Sequence, residues 1–94
     1  MDLNRLKNFI TVAETGSIGR AATSLHVAQP ALSKSIQALE ADLGTQLLQR
    51  SPQGVVTTEA GARLYDHCQI LFKQVDRARS AVRRALGVPS RPVV

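Results

Sequence analysis

From Leu64 onward, Leu64, Cys68, Leu71, Val75, Ala78, Val82 and Ala85 recur at alternating steps of four and three residues without a break. This spacing is a heptad seam, the pattern of a helix whose apolar line lies against another helix. A helix of about 28 residues, covering the segment 59–87, would be about 42 Å long. The chain has 94 residues, enough for one small domain, and a domain that small cannot cover such a helix along its whole length. Its far half needs another surface, and a second copy of the same helix supplies one. The seam therefore predicts a homodimer paired through Leu64, Cys68, Leu71, Val75, Ala78 and Val82. The competing reading is a single helix packed along its N-terminal half and frayed beyond it.

Upstream, Leu3, Leu6, Phe9, Ile10 and Ala13 fall on one helical stripe, with Asp2 as a cap and Gly16 as a stop. Ser17 is placed to cap a second, short helix, in which Ile18, Ala21, Ala22 and Leu25 follow the i, i+3, i+4, i+7 pattern. His26-Val27-Ala28 makes a turn, and Pro30 sits in the first turn of a third helix, where its missing N–H has no intrahelical partner to lose. This helix should run from Gln29 to Leu43, bury Leu32, Ile36, Leu39 and Leu43, and stop at Gly44. Two β-prone runs follow, Leu47-Leu48-Gln49-Arg50 and Val55-Val56-Thr57, separated by the turn-forming Ser51-Pro52-Gln53-Gly54. Thr58 then caps the long helix, Glu59 lies in its first turn and arginines lie in its last, as the helix dipole favours. Gly87 supplies the stop. The expected fold is mainly α: a winged helix-turn-helix of three helices and a β-hairpin wing, followed by the long dimerising helix. Residues 1–58 form the first part, 59–87 the pairing helix, and 88–94, with Pro89 and Pro92, an exit hinge.

The formal net charge is +5, which suits a polyanionic partner. Its distribution tells more. Neither Thr15 to Leu39 nor Leu43 to Thr58 contains an Asp or Glu, whereas Arg20, Lys34 and Arg50 fall in those windows. A surface meant to lie against phosphates must exclude carboxylates, because like charges at close range cost several kcal/mol. Around the third helix, Pro30, Ser33, Lys34, Gln37 and Ala41 project away from the buried stripe, and the acids Glu40 and Asp42 are confined to its C-terminal end.

That outer face fits the major groove of double-stranded DNA, where each base pair shows a distinct pattern of donors and acceptors. Gln29 can offer both amide atoms to adenine, Lys34 can donate to guanine O6 and N7, and Ser33 can donate or accept. Pro30 can touch a thymine methyl, and Gln37 lies one turn further along. Arg50 at the base of the wing is a candidate phosphate contact, and Arg20 a weaker one. The alternative is a dimerisation or protein-interaction module whose basic helix docks an acidic partner and has only non-specific affinity for DNA.

Enzymatic chemistry finds no support. His26 and His67 are far apart, and neither has metal-site spacing with Cys68. Glu40 and Asp42 point to different sides of a helix and cannot act as a carboxylate pair. Gly16 and Gly19 belong to helix boundaries, so no glycine-rich phosphate loop exists. Cys68, on the seam, reads as a small buried apolar residue; as the one cysteine, it excludes an internal disulfide and fits a reducing cytoplasm. No signal peptide or apolar run of membrane-spanning length is present in these residues, so neither a membrane nor a cofactor is expected.

Taken together, Leu6-Lys7-Asn8-Phe9, Gly16-Ser17-Ile18 with Ala21-Ala22 and Leu25, Gln29-Pro30-Ala31-Leu32-Ser33-Lys34, Ile36 with Leu39-Glu40, Gly44, Leu47 with Arg50, and Thr58-Glu59-Ala60-Gly61 resemble the N-terminal DNA-binding domain of the LysR-type transcriptional regulators. The resemblance covers residues 3 to 87. It implies a bacterial regulator whose linker helices pair antiparallel and whose two recognition helices read a dyad-symmetric site. Gln29, Pro30, Ser33 and Lys34 would face bases, and the wing would approach the adjacent minor groove. It also implies a C-terminal domain that binds a small-molecule effector and builds tetramers, whose first strand would begin near Arg91-Pro92-Val93-Val94. This chain departs from the family pattern where Ala28 replaces a capping Ser or Thr, Leu48 a Phe, Thr57 a Leu, and Gln53 an Arg. The last change removes the positive charge that a narrow minor groove attracts.

Overall fold

The computed structural model describes residues 1–87. The expected hinge and strand start at residues 88–94 lie outside the described residues. Four helices and one hairpin follow in the order α1 (Leu3–Thr15), α2 (Ile18–Leu25), α3 (Gln29–Leu43), β1 (Leu48–Ser51), β2 (Gly54–Thr57) and α4 (Glu59–Ala85). This is the winged helix-turn-helix with a long C-terminal helix that the sequence leads one to expect.

Side chains set most of the boundaries. The Asp2 carboxylate accepts the Arg5 N–H at 2.8 Å, satisfying a donor that the first turn of α1 leaves without an intrahelical partner. Gly16 closes α1 with φ 68°, and its neighbour Ser17 caps α2 through its hydroxyl. His26 ends α2 with φ 58°, the one left-handed residue among the described ones that is not glycine. Ala28 stands at the start of α3 with extended φ and ψ but makes no side-chain cap. The missing Ser or Thr therefore leaves the α3 N-terminus relying on backbone and solvent.

The core is aliphatic around a single ring, Phe9, with Leu6, Val12, Ala21, Ala22, Leu32, Ile36, Leu39, Leu47, Leu48 and Cys68 around it. Two expected core residues are not in it. Leu3 is 52% exposed and Leu43 40% exposed. Both stand at helix ends, where the stripe runs past the neighbouring helices. The buried line of α1 is instead Leu6, Phe9 and Val12. Asn8 on α1 donates its amide to the Ser35 hydroxyl of α3 at 2.9 Å, a polar crosslink beside this core.

The hairpin is tighter than the residue types suggest. Ser51 and Gly54 pair across β1 and β2, so the connection is only Pro52-Gln53, and Leu47 precedes the strand. Three contacts tie the hairpin down. The Glu40 carboxylate accepts the N–H groups of Leu47 and Leu48 at 2.8 and 3.3 Å. Val55 N–H donates to the Gly16 carbonyl at 3.0 Å. At Gly54, φ is 128° and a β-carbon would lie 2.5 Å from that same Gly16 carbonyl, so only glycine fits.

Helix α4 starts from the base of the wing. The Thr58 hydroxyl accepts the Gly61 N–H at 3.0 Å and donates to the Gln46 carbonyl at 2.7 Å. Gly61 packs directly on the Leu47 backbone, where any β-carbon would collide with the Leu47 carbonyl. From there α4 leaves the body of the domain, and the molecule measures 49 × 26 × 21 Å.

Candidate nucleic-acid interface

Between the N-terminal half of α3 and the hairpin runs an open trough. Its upper part is bounded by Ser17, Ile18, Gly19, Gln29, Ser33, Arg50 and Pro52. Its lower part continues past Ser33, Ile36, Gln37, Glu40, Leu48 and Arg50. Ser33 and Arg50 line both parts, and so join the third helix to the wing across one depression. The floor is apolar, made by Ile18, Ile36, Leu48 and Val55, while the rims carry amides, hydroxyls, one guanidinium and the Glu40 carboxylate.

The structure brings Gln29, Ser33, Gln37 and Arg50 to this trough. Pro30 and Lys34 lie on the exposed outer side of α3. Ser33, by contrast, is half-buried against the trough. Gln53 is exposed at the hairpin tip, in the turn that follows Pro52. Arg20 is exposed at the start of α2, and its guanidinium donates to the Thr15 carbonyl at 2.9 Å. Among the described residues no ion pair engages Lys34 or Arg50, so both charges are free to meet an external anion. No group of His, Cys, Asp and Glu among the described residues has the arrangement of a metal site. No helix among them is long and apolar enough to cross a membrane.

By its place in the sequence Glu40 belongs with Asp42, among the acids at the C-terminal end of α3. In the structure it is half-buried, and its carboxylate holds the start of the wing. The signal was its position: Glu40 lies seven residues after Ser33 and three after Gln37, on the side of α3 that lines the trough. Ile18, which the helical period assigns to the core, also forms the trough floor.

The expected pairing seam divides in two. Cys68 is 2% exposed, and Leu64 packs against the same cluster, so both serve the chain's own core. Cys68 is therefore not on the surface that a second copy could meet. Burial also pushes its thiol above the usual cysteine range. Val75 is half-buried and Ala78 exposed, while Leu71 is 38% and Val82 61% exposed. The bare part of the seam thus begins at Leu71.

The family described as "Bacterial regulatory helix-turn-helix protein, lysR family" matches residues 3–62. The chain belongs to the lysR family. Within it, the nitrogen assimilation regulatory protein nac of Klebsiella aerogenes is 45% identical over 82 residues, covering 87% of this chain and 27% of that protein. The transcriptional regulator TcbR of a Pseudomonas species is 47% identical over 91 residues, covering 93% of this chain and 31% of the relative. The chain thus spans about a third or less of the length of these lysR-family relatives. Among solved structures, the BenM_DBD/benA site 1 DNA complex superposes with a TM-score of 0.85 at 41% identity, covering 90% of this chain and 99% of that one. The CbnR_DBD–DNA complex gives 0.82 at 41% identity, covering 92% and 99%. Both lysR-family neighbours were crystallised with DNA.

Proposed function

We propose that this chain binds double-stranded DNA with sequence preference, as a homodimer, and thereby regulates transcription in the bacterial cytoplasm. The observation that carries the reading is the outer side of the first turns of α3. Gln29, Pro30 and Lys34 are exposed there beside Ser33, in a stretch without a carboxylate from Thr15 to Leu39. Inserted into the major groove, these side chains meet base edges, and each bidentate pair discriminates by about 1–3 kcal/mol. Arg50 meets the backbone between the grooves and Arg20 flanks it. The hairpin tip with Gln53 reaches the adjacent minor groove without an arginine's charge. Residues 1–58 read the DNA, and residues 59–87 pair two copies on a dyad-symmetric site.

The chain itself carries no cofactor in this reading. A small-molecule effector belongs to a further domain of the longer regulator, as do tetramers. Titration with a selected duplex and with random duplex at two salt concentrations tests the proposal. Preference for the selected duplex, with affinity falling steeply as salt rises, is the expected result. Equal affinity for both duplexes would leave only a dimerising module with non-specific affinity, and no duplex binding at low salt would remove the function altogether.

A further inference from the structure

Past its start, where Thr58 bonds Gln46 and Gly61 rests on the Leu47 backbone, helix α4 touches the rest of the molecule through two kinds of contact. Leu64, Cys68 and Phe72 meet the core through apolar surfaces, which are non-directional and resist rolling or tilting of a helix only weakly. The other contact is directional. The Glu14 carboxylate on α1 accepts the Tyr65 hydroxyl at 2.8 Å and the Gln69 amide at 3.3 Å, both to the same oxygen. Tyr65 and Gln69 are four residues apart, so they lie one above the other on a single face of α4. Two donors on one line meeting one acceptor add a directional restraint on the rotation and tilt of α4 against α1.

Glu14 is well placed for this. Two residues on, the Gly16 carbonyl takes the wing's Val55 N–H, and the intervening Thr15 carbonyl takes the Arg20 guanidinium. The last turn of α1 therefore joins the long helix, the wing and the start of α2. The phenol of Tyr65 is pushed above its usual range, foremost by this hydrogen bond to Glu14, as expected when a carboxylate holds the proton of its donor.

We infer that the Glu14–Tyr65–Gln69 clasp sets the angle between the DNA-reading part and the pairing helix, and so the spacing between the two half-sites that a dimer prefers. The inference rests on the dimeric DNA-binding reading above. Its force comes from leverage. From Tyr65 to the helix end at Ala85 is roughly 30 Å of helix. Over that length a tilt of about 7° displaces the far end by roughly one base-pair rise, ~3.4 Å. A small change at the clasp thus becomes a whole step along the duplex. Tyr65, Gln69 and Glu14 act as positioning residues; none of them needs to touch DNA.

The experiment uses the chain with a set of duplexes carrying two copies of its selected half-site, separated by spacers that grow one base pair at a time, together with a duplex carrying one half-site. The wild type should show one preferred spacing. Tyr65→Phe and Glu14→Ala should each broaden that preference or move it by a base pair or more. Affinity for the single half-site and the dimer fraction in sedimentation should stay within about twofold. Because Glu14→Ala removes the acceptor of both bonds, adding Tyr65→Phe to it should change nothing further, and the double variant should behave like Glu14→Ala. Spacing profiles identical to the wild type's would overturn the inference, as would parallel loss of single half-site binding and spacing preference. A wild type that binds duplex with no spacing preference would sink the clasp while leaving DNA binding intact. A wild type that binds no duplex would sink both.

Discussion

The carboxylate of Glu40, near the end of α3, accepts the backbone N–H of Leu47 at 2.8 Å, and so fixes where the wing begins relative to the helix that faces the groove. The same oxygen takes the next N–H, that of Leu48, at 3.3 Å. The acid stands beside the trough in a structural role, holding these two donors. Glu40→Ala would leave both N–H groups without a protein partner and should destabilise the fold by roughly 1–3 kcal/mol. Urea unfolding of the two proteins checks this, and an unchanged midpoint would show that water replaces the carboxylate at no cost.

The uncapped start of α3 points the other way. Ala28 already has the extended backbone of a cap residue, with φ −70° and ψ 141°. Ala28→Ser should therefore add a hydrogen bond to the second or third N–H of α3 and stabilise the protein by about 1 kcal/mol. Thermal unfolding gives the answer, and a fall in midpoint would contradict the cap geometry.

Lys34 is exposed and free of any ion pair among the described residues. Removing it should cost about 1–3 kcal/mol on the selected duplex and relax preference at one base position. Competition binding against single-base variants of the site measures both. Equal loss on selected and random duplex would mark Lys34 as a phosphate contact alone.

Val82 is 61% exposed on the bare stretch of the seam, so a charge there does not disturb the monomer's own core. Val82→Asp should give monomers with unchanged helix content by circular dichroism and weaker binding to a two-half-site duplex. A variant that still sediments as a dimer would place the pairing surface elsewhere.

Burial of Cys68 predicts an alkaline limb in stability. Its thiol is pushed up from the ordinary 9.0 in the folded chain, so the unfolded chain gives up the proton first. Stability is then full below that value and falls as pH rises through the higher folded one. Cys68→Ala should flatten the slope of unfolding free energy between about pH 8 and pH 10. Tyr65, also shifted upward, acts at still higher pH with the same sign. An unaltered slope in the alanine variant would assign the limb to other groups.

The helices were legible because their boundaries are written in single residues: Asp2, Ser17 and Thr58 as caps, Gly16 and Gly44 as left-handed stops. The outward side of α3 was legible for a related reason, since a run without acids is visible along the chain. Less visible was where each stripe loses its neighbour. Leu3 and Leu43 obey the helical period but lie past the ends of the helices they would pack on. Cys68 obeys the heptad, yet the core of its own domain reaches it first. The spacing of Glu40 from Ser33 and Gln37 gives its side of α3, but not its partners, because the N–H groups of Leu47 and Leu48 are backbone and leave no mark on residue identity. The clasp of Glu14 with Tyr65 escaped for want of any local pattern across 51 residues.

The protruding α4 also governs how the molecule moves through solvent. A particle of 49 × 26 × 21 Å drags more water than a sphere of equal mass, so a single copy migrates as though heavier than it is. Elution volume from a sizing column would then overstate the mass of a single copy. Light scattering or sedimentation equilibrium, which weigh the particle whatever its outline, are the measurements on which its self-association should be judged.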